Sequence, residues 1–404
     1  MIQASASPAW PIPTRVFAEQ DAGSFAMILN EQQTMIRATA RRFAREHLKP
    51  NSAKWDRDNS FPRDALTEMG RLGFLGMTVP EEWGALGAEA VSLAVALEEI
   101  AAGDAACATI MSGHNSVGCM PIDQFGTAEQ KEQFLRPMAQ GRMLSAFCLT
   151  EPQGGSDAAA MKTRARRDGD SYVLSGTKQF ITTGKHAQVA LVFATISPEV
   201  GSRGITAFIV PTDTPGYVVG RTESKMGQHA SDTCQIILEE ARVPASLRLG
   251  DEGQGYRIAL SNLEGGRIGI AAQAVGIAQA AFEAAFAYAQ QRFTFGKLII
   301  EHQAVGFRLA AMATRIEAAR QLVLHAAALR DGHVACLKEA CMAKMVASEA
   351  AEWVCSEAIQ TLGGYGYLAD FPVEQLYRDA RVTRIYEGTN DIQHLVILRE
   401  LIRS

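Results

Sequence analysis

A chain of 404 residues with 47% hydrophobic content is long enough for two or three domains or one large multilayer unit, which excludes a disordered protein. A formal charge of -5 lacks the basic surplus that neutralising a phosphate backbone requires, which argues against nucleic acid as a partner. The seven cysteines form no C-x-x-C pair and no Cys/His cluster with zinc spacing, so reduced, mostly buried thiols are expected and a metal site is not.

Residues 1–28 carry Pro8, Pro11 and Pro13 among small and polar residues without a period, the pattern of a loosely held tail. From 29 to 145 the period is helical: Met35, Ile36, Thr39, Phe43 and His47 recur in one segment and Leu93, Val95, Leu97 and Ile100 in another, with a loop at 79–84 between them. Between 146 and 250 short β-branched runs take over at 171–175, 189–196, 205–210 and 234–238, punctuated by Asp168-Gly169 and Asp213-Thr214-Pro215-Gly216. This middle block is expected to be a small β-barrel or sandwich. From 251 to 404 the helical period returns over roughly 254–291, 302–330 and 335–362, with a last helix at about 390–402. Ala271-Ala272 and Ala284-Ala285 let helices approach closely, as in a four-helix bundle. Asn390 reads as the N-cap of the last helix, with Gln393 completing a capping box. The fold class is therefore α+β multidomain, helical at both ends and β in the middle. No run of about 18 apolar residues and no signal-peptide pattern stand out, so a soluble, cytoplasmic chain without a membrane span is expected.

Three segments carry residue types suited to chemistry. In 147–157, Gly154 and Gly155 can bring backbone close to a ligand, and Thr150 and Ser156 offer hydroxyls to a heteroaromatic edge or a phosphate. Alone, the segment also reads as a Gly-Ser loop between domains. In 178–184 a strand carrying Phe180 ends in Thr182-Thr183-Gly184, and a single aromatic there is either core or a ring-stacking platform. In 384–393, Glu387 stands between Tyr386 and Gly388 just before a helix start. A free Glu titrates at about 4.3, and desolvation beside apolar groups lifts it toward neutrality, as a general base needs; an ordinary surface or capping Glu fits the same spacing.

Six blocks stand in one order: 149–157, Leu263-Glu264-Gly265-Gly266-Arg267, 292–297 with Glu301-His302-Gln303, Leu362-Gly363-Gly364-Tyr365-Gly366, Tyr377-Arg378-Asp379-Ala380, and Ile385-Tyr386-Glu387-Gly388-Thr389. Together they closely resemble the acyl-CoA dehydrogenase family, over nearly the whole chain from about 30 to 402. The resemblance implies an FAD cofactor, an acyl-CoA substrate, an electron-transfer flavoprotein as electron acceptor and a homotetramer. It also implies a role in fatty acid or branched-chain amino acid catabolism, in the mitochondrial matrix if the source is eukaryotic.

Residue by residue, it places Phe147, Leu149, Thr150 and Ser156 over the flavin and the pantetheine and phosphate end of the substrate. Thr150 is directed at the isoalloxazine edge and Ser156 toward CoA. Phe180, Ile181 and Thr182 match a strand whose aromatic, often Trp in relatives, covers one flavin face. Arg292, Phe295 and Gln303 match residues that hold the FAD diphosphate and adenine, partly from a neighbouring subunit, and Gly363 and Gly364 match backbone against the same cofactor. Thr389 and Asp391 match the last flavin-side contacts, Asp391 being shorter than the usual Glu or Gln. Glu264, Arg267, Ser156 and Gly388 fall on the substrate side. Glu387 matches the base that takes the α-proton while a hydride leaves the β-carbon for flavin N5, giving a trans-2-enoyl-CoA. Some relatives carry that base immediately before the Arg, where this chain has Gly266. Gly266 and the 363–368 run look most like the short-chain and isobutyryl-type enzymes, which implies a short, α-branched or straight acyl chain. The same fold also serves oxygen-using acyl-CoA oxidases, nitroalkane oxidases with Asp in place of Glu387, and silent members that bind without catalysis.

Overall fold

In the computed structural model, which describes residues 29–403, helices come first and last along the chain and strands lie between them; the tail expected at 1–28 lies outside the described residues. The strands are β1 (Ser145–Cys148), β2 (Arg164–Asp168), β3 (Ser171–Thr182), β4 (Val189–Thr195), β5 (Ile205–Pro211), β6 (Tyr217–Thr222), β7 (Thr233–Pro244) and β8 (Arg248–Leu249). They run β6-β7-β3-β2-β4-β5-β8, with β1 beside β4. β2 and β4 meet only through Arg164 and Thr195, so the sheet is two blocks joined at one point.

Every residue of β4 is buried. Ala190, Val192 and Ala194 enter one core with Tyr172, Leu174 and Ile236, while Val189, Leu191 and Phe193 enter another with Val79, Phe134, Leu135 and Ile258. Successive side chains leave a strand on opposite faces, so a strand covered on both faces reads as an unbroken apolar run. The second of these cores is what seats the sheet against helical residues from both ends of the chain.

The helices Glu31–Phe43, Ala90–Gly103, Gly255–Ala289, Gln303–Asp331, Leu337–Leu362 and Pro372–Arg381 share one continuous core, although the first two belong to the start of the chain. Among the described residues, Gly255–Ala289 is the one helix long and apolar enough to cross a membrane, and 67% of its most apolar window is buried inside the fold. A central position in the bundle accounts for that composition. Pro372–Arg381 and the small hairpin of Phe293–Thr294 and Lys297–Leu298 have no counterpart among the expected elements. All seven cysteines are buried and unpaired.

Among the contacts that join the first helices to the last ones is a cap made by Asp331. Asp331 closes the Gln303–Asp331 helix and accepts the Ala90 N–H at 2.6 Å and the Val91 N–H at 3.0 Å, although 240 residues separate it from Val91. Glu89, the helix's own flanking residue, provides no side-chain cap. The orphan donors of the Ala90–Gly103 helix are thus satisfied from another helix. Asp331→Ala is expected to cost about 1 kcal/mol, as loss of an N-cap does. Thermal unfolding reads this as a lower midpoint; an unchanged midpoint would mean that water replaces the carboxylate without loss.

Candidate active site

The helix Asn390–Arg403 begins where the sequence places it, but Asn390 is not its cap. Thr389 Oγ1 accepts the Ile392 N–H at 3.4 Å, and Thr389 O accepts that of Gln393 at 3.0 Å. The Asn390 side chain turns instead into the Leu337–Leu362 helix, where its Oδ1 accepts from Lys344 Nζ at 3.0 Å and Ser348 Oγ at 3.2 Å. A buried ammonium and a hydroxyl outcompete the helix start for the same oxygen. Gln393 does reach back, its Nε2 donating to Gly388 O at 2.8 Å and Glu387 O at 3.3 Å.

Just before this cap the backbone is left-handed twice, at Glu387 (φ 52°) and Gly388 (φ 93°). A Cβ at 388 would press on the end of the Gln393 side chain, 2.8 Å away at Nε2, and the φ is the feature that demands glycine there. For Glu387 the same region costs about 1–2 kcal/mol, and it persists only because the surroundings hold it.

The carboxylate of Glu387 is aimed inward. Its Oε2 is buried and has no hydrogen-bond partner. A Cβ built on Gly266 would lie 1.9 Å from that oxygen, so the carboxylate fills the space that any side chain at 266 would need. Burial lifts the Glu387 pKa to about 7, against the opposing pull of the Arg267 and Lys344 charges. Arg267 is itself buried, with its Nε unpaired. Glu387 Oε2 and Arg267 Nε are thus buried polar atoms of oppositely charged groups, each without a partner and within electrostatic reach of the other, the kind of arrangement found at functional sites. Behind the loop, Tyr386 Oη donates to Gln273 Oε1 at 2.6 Å, and Gln273 Nε2 donates to Thr109 Oγ1 at 2.6 Å.

A second surface lies at the end of β3. The β3–β7 register shifts between Lys178 and Ile181, and within that bulge Phe180 takes φ 58° and is 63% exposed. A bulge re-aims a side chain, and here it turns an aromatic out of the core. Gln179 N–H reaches Thr150 O at 2.9 Å, so the 149–157 loop lies beside the bulge. Thr150 and Thr182 are half-buried and Ser156 is exposed. Phe147 packs edge-on to Phe193 with centroids 4.9 Å apart, and Leu149 and Ile181 are buried, so these three face the core. Glu151 anchors the loop from within: it accepts from Lys178 Nζ at 2.8 Å and from the N–H groups of Lys162 and Thr163 at 2.7 and 2.9 Å. Burial alone would raise its pKa; Lys178 and the donated hydrogen bonds hold it down at about 2.

A third group stands apart. Arg292, Gly363 and Gly364 line a cavity of about 400 Å³ with Tyr288, Thr361, Tyr365 and Leu368. The Arg292 guanidinium lies 5.7 Å over the Tyr365 ring, and the sites where Gly363 and Gly364 would begin a side chain face open space. Phe295 is 97% exposed, and Gln303 is exposed at the first position of its helix. Within one chain this group does not meet Glu387. Lys344, which touches the Glu387 loop, lies near the start of the Leu337–Leu362 helix and Gly363 just past its end, about 28 Å of helical rise away. Asp391 is exposed. Glu264 is engaged with Cys336 Sγ, which donates at 3.4 Å, and with Arg330 at 3.8 Å, rather than with the Glu387 loop.

Family models for the acyl-CoA dehydrogenase N-terminal, middle and C-terminal domains match residues 30–142, 146–241 and 253–402. The chain belongs to the acyl-CoA dehydrogenase family. It is 47% identical over 376 residues to an acyl-CoA dehydrogenase of Bacillus subtilis (strain 168), covering 93% of this chain and 99% of that one. It is 46% identical to the mitochondrial short-chain specific acyl-CoA dehydrogenase of Bos taurus, with 93% and 91% covered. The structure of butyryl-CoA dehydrogenase from Megasphaera elsdenii matches with a TM-score of 0.91 and 42% identity, covering 93% of this chain and 99% of that one. The family's cofactor is FAD, and a glutaryl-CoA dehydrogenase from Mycobacterium smegmatis, 33% identical and similar at a TM-score of 0.90, is described in complex with FADH2. This chain is accordingly an FAD-dependent acyl-CoA dehydrogenase. Its residues suit such a group: an outward aromatic at the bulge, open glycines beside Arg292, and an unpaired buried carboxylate.

Sequence reasoning passed over Lys344, although a signal for it exists. Ala340, Ala343, Ala347 and Ala351 mark the buried stripe of its helix, and Lys344 and Ser348 fall on that stripe. Polar residues at core positions of an amphipathic pattern ask for a reason. Gln273 and Thr109 are likewise polar groups amid alanine-rich helices.

Proposed function

We propose that this dehydrogenase converts a short acyl-CoA, straight or α-branched, to the trans-2-enoyl-CoA, with Glu387 taking the α-proton. The observation that carries this reading is the buried, unpaired Oε2 of Glu387, whose pKa is lifted to about 7, which makes the carboxylate more basic than a free Glu while roughly half of it stays ionised at neutrality. The α-proton of a thioester is very weakly acidic, so its removal needs hydrogen bonds to the developing enolate oxygen. The Glu387 N–H pairs with no backbone carbonyl among the described residues, which leaves it able to donate there. Bound FAD supplies the acceptor for the hydride from the β-carbon.

Thr150, Phe180, Thr182 and Thr389 would hold the flavin end, with Phe147, Leu149 and Ile181 supporting it from the core and Asp391 at the margin. Arg292, Phe295, Gln303, Gly363 and Gly364 would hold the diphosphate and adenine. Their distance from Glu387 within one chain favours a site completed by a second subunit in a homotetramer, as do the exposed Phe295, Phe307, Leu395, Leu398 and Ile402. Ser156, Glu264, Arg267 and Gly388 would lie along the CoA chain. An electron-transfer flavoprotein in the cytoplasm is the acceptor that the family resemblance favours.

The likeness to enzymes named for short-chain and butyryl-CoA substrates supports the size assignment. A turnover panel of acyl-CoAs from C4 to C16, with isobutyryl-, 2-methylbutyryl- and isovaleryl-CoA included, tests it with electron-transfer flavoprotein and oxygen as alternative acceptors. The highest kcat/KM is expected among the four- and five-carbon substrates with the flavoprotein. A maximum at eight carbons or beyond would overturn the size assignment, and equal turnover with oxygen would make the enzyme an oxidase.

A further inference from the structure

Lys344 is fully buried, yet no carboxylate lies within salt-bridge distance of it among the described residues. Its ammonium donates to Gly388 O at 2.9 Å and to Asn390 Oδ1 at 3.0 Å, both neutral acceptors. A buried cation without a paired anion is costly, and a Met of similar length would fill the space without that cost. What Lys344 gains is a grip on the left-handed pair Glu387–Gly388: it shares the Gly388 carbonyl with Gln393, which also donates to the Glu387 carbonyl.

We propose that Lys344 is a positioning residue for the base: its ammonium holds the Gly388 carbonyl so that the strained turn keeps the Glu387 carboxylate aimed at Gly266, and its charge favours the ionised form of that carboxylate. The inference rests on Glu387 being the base. The charged and titratable groups around Lys344 are Glu387 on the loop, Arg267 on the Gly255–Ala289 helix, Arg384 in the preceding turn and Cys341 on its own helix, while Glu349 bonds the other end of the Asn390 amide. Burial outweighs the attraction of Glu387 and lowers the Lys344 pKa to about 8. The ammonium is therefore present at pH 7 and fades above pH 8, where Glu387 is already ionised.

Two substitutions separate grip from charge. Lys344→Met removes both, and Lys344→Gln keeps one donor for Gly388 O but no charge. The primary readout is the pH midpoint of the Glu387 carboxyl stretch in the infrared, its band assigned by its loss in Glu387→Gln. Both Lys344 variants are expected to raise that midpoint by about one unit, the order expected when a nearby opposite charge is lost. Flavin reduction near neutrality, where the Lys344 ammonium is present, divided by the ionised fraction of Glu387 read from the same infrared titration, is expected to fall at least tenfold in Lys344→Met and to be partly restored in Lys344→Gln. Should Lys344→Met fail to fold, Lys344→Gln still reads the charge. An unmoved midpoint in Lys344→Gln would overturn the proposal. If instead Glu387→Gln reduces its flavin at the wild-type rate, the assignment of the base itself is wrong, and the two failures are told apart.

Discussion

Replacing Glu387 with Gln is expected to slow flavin reduction by acyl-CoA by about 10²- to 10⁴-fold, the range that a positioned general base contributes. Gln preserves the shape and the backbone N–H but cannot accept a proton. The buried Oε2 has no hydrogen bond in the protein to lose, so the substitution removes basicity with little structural disturbance. Removing an unpaired buried charge lowers the cost of that site, so fold and FAD content are expected to survive, as is acyl-CoA binding. The pH dependence adds a second signature. Only ionised Glu387 accepts a proton, and its pKa of about 7 means that the wild-type rate rises with pH through that region and levels off above it. Below pH 7 the carboxyl is protonated and the rate falls. The Gln variant should lack this rise. Stopped-flow bleaching of the flavin at several pH values measures both, and a Gln variant close to the wild-type rate would show that another residue is the base.

How legible this site is in the sequence depends on which force dominates at each position. β3, β4, β5 and β7 announce themselves as β-branched runs because burial selects apolar residues there. β2 does not: Arg164, Arg166 and Arg167 crowd its five residues, and only pairing with β3 makes it a strand. The base is legible as a motif, but not the reason for its inward aim, because two successive left-handed residues and a bulge at Phe180 are backbone events that side-chain periodicity does not encode. Asn390 shows the limit of local rules. Its spacing to Gln393 fits a capping box, yet Lys344 and Ser348, more than forty residues earlier, claim its side chain and leave the cap to Thr389. Tertiary competition of this kind is invisible to a local reading.

Gly266 is expected to be as sensitive as the base itself. It lies within a regular helix at a buried position, and its φ is not left-handed, so the backbone alone would accept Ala and gain about 1 kcal/mol of helix propensity. The obstacle is the carboxylate: a Cβ at 266 would lie 1.9 Å from Glu387 Oε2 and 2.8 Å from its Cδ, well inside contact distance. Gly266→Ala must therefore push the base off its position, and a misplacement of about 1 Å can cost about 100-fold in rate. Unchanged thermal stability with a large loss of flavin reduction would locate the damage at the carboxylate rather than in the fold. The same geometry suggests how to move the base. In Glu387→Gly the space beside 266 is vacated and the left-handed φ of 52° costs nothing, so a Glu introduced by Gly266→Glu can extend from the rigid helix into the volume that Oε2 occupied. The double variant should reduce its flavin faster than Glu387→Gly alone, though more slowly than the wild type, because a carboxylate reaching in from a helix is not held by the turn that holds Glu387. Stopped-flow bleaching of the two variants side by side decides it: a double variant no faster than Glu387→Gly would show that position 266 cannot present a base to the α-carbon in this chain.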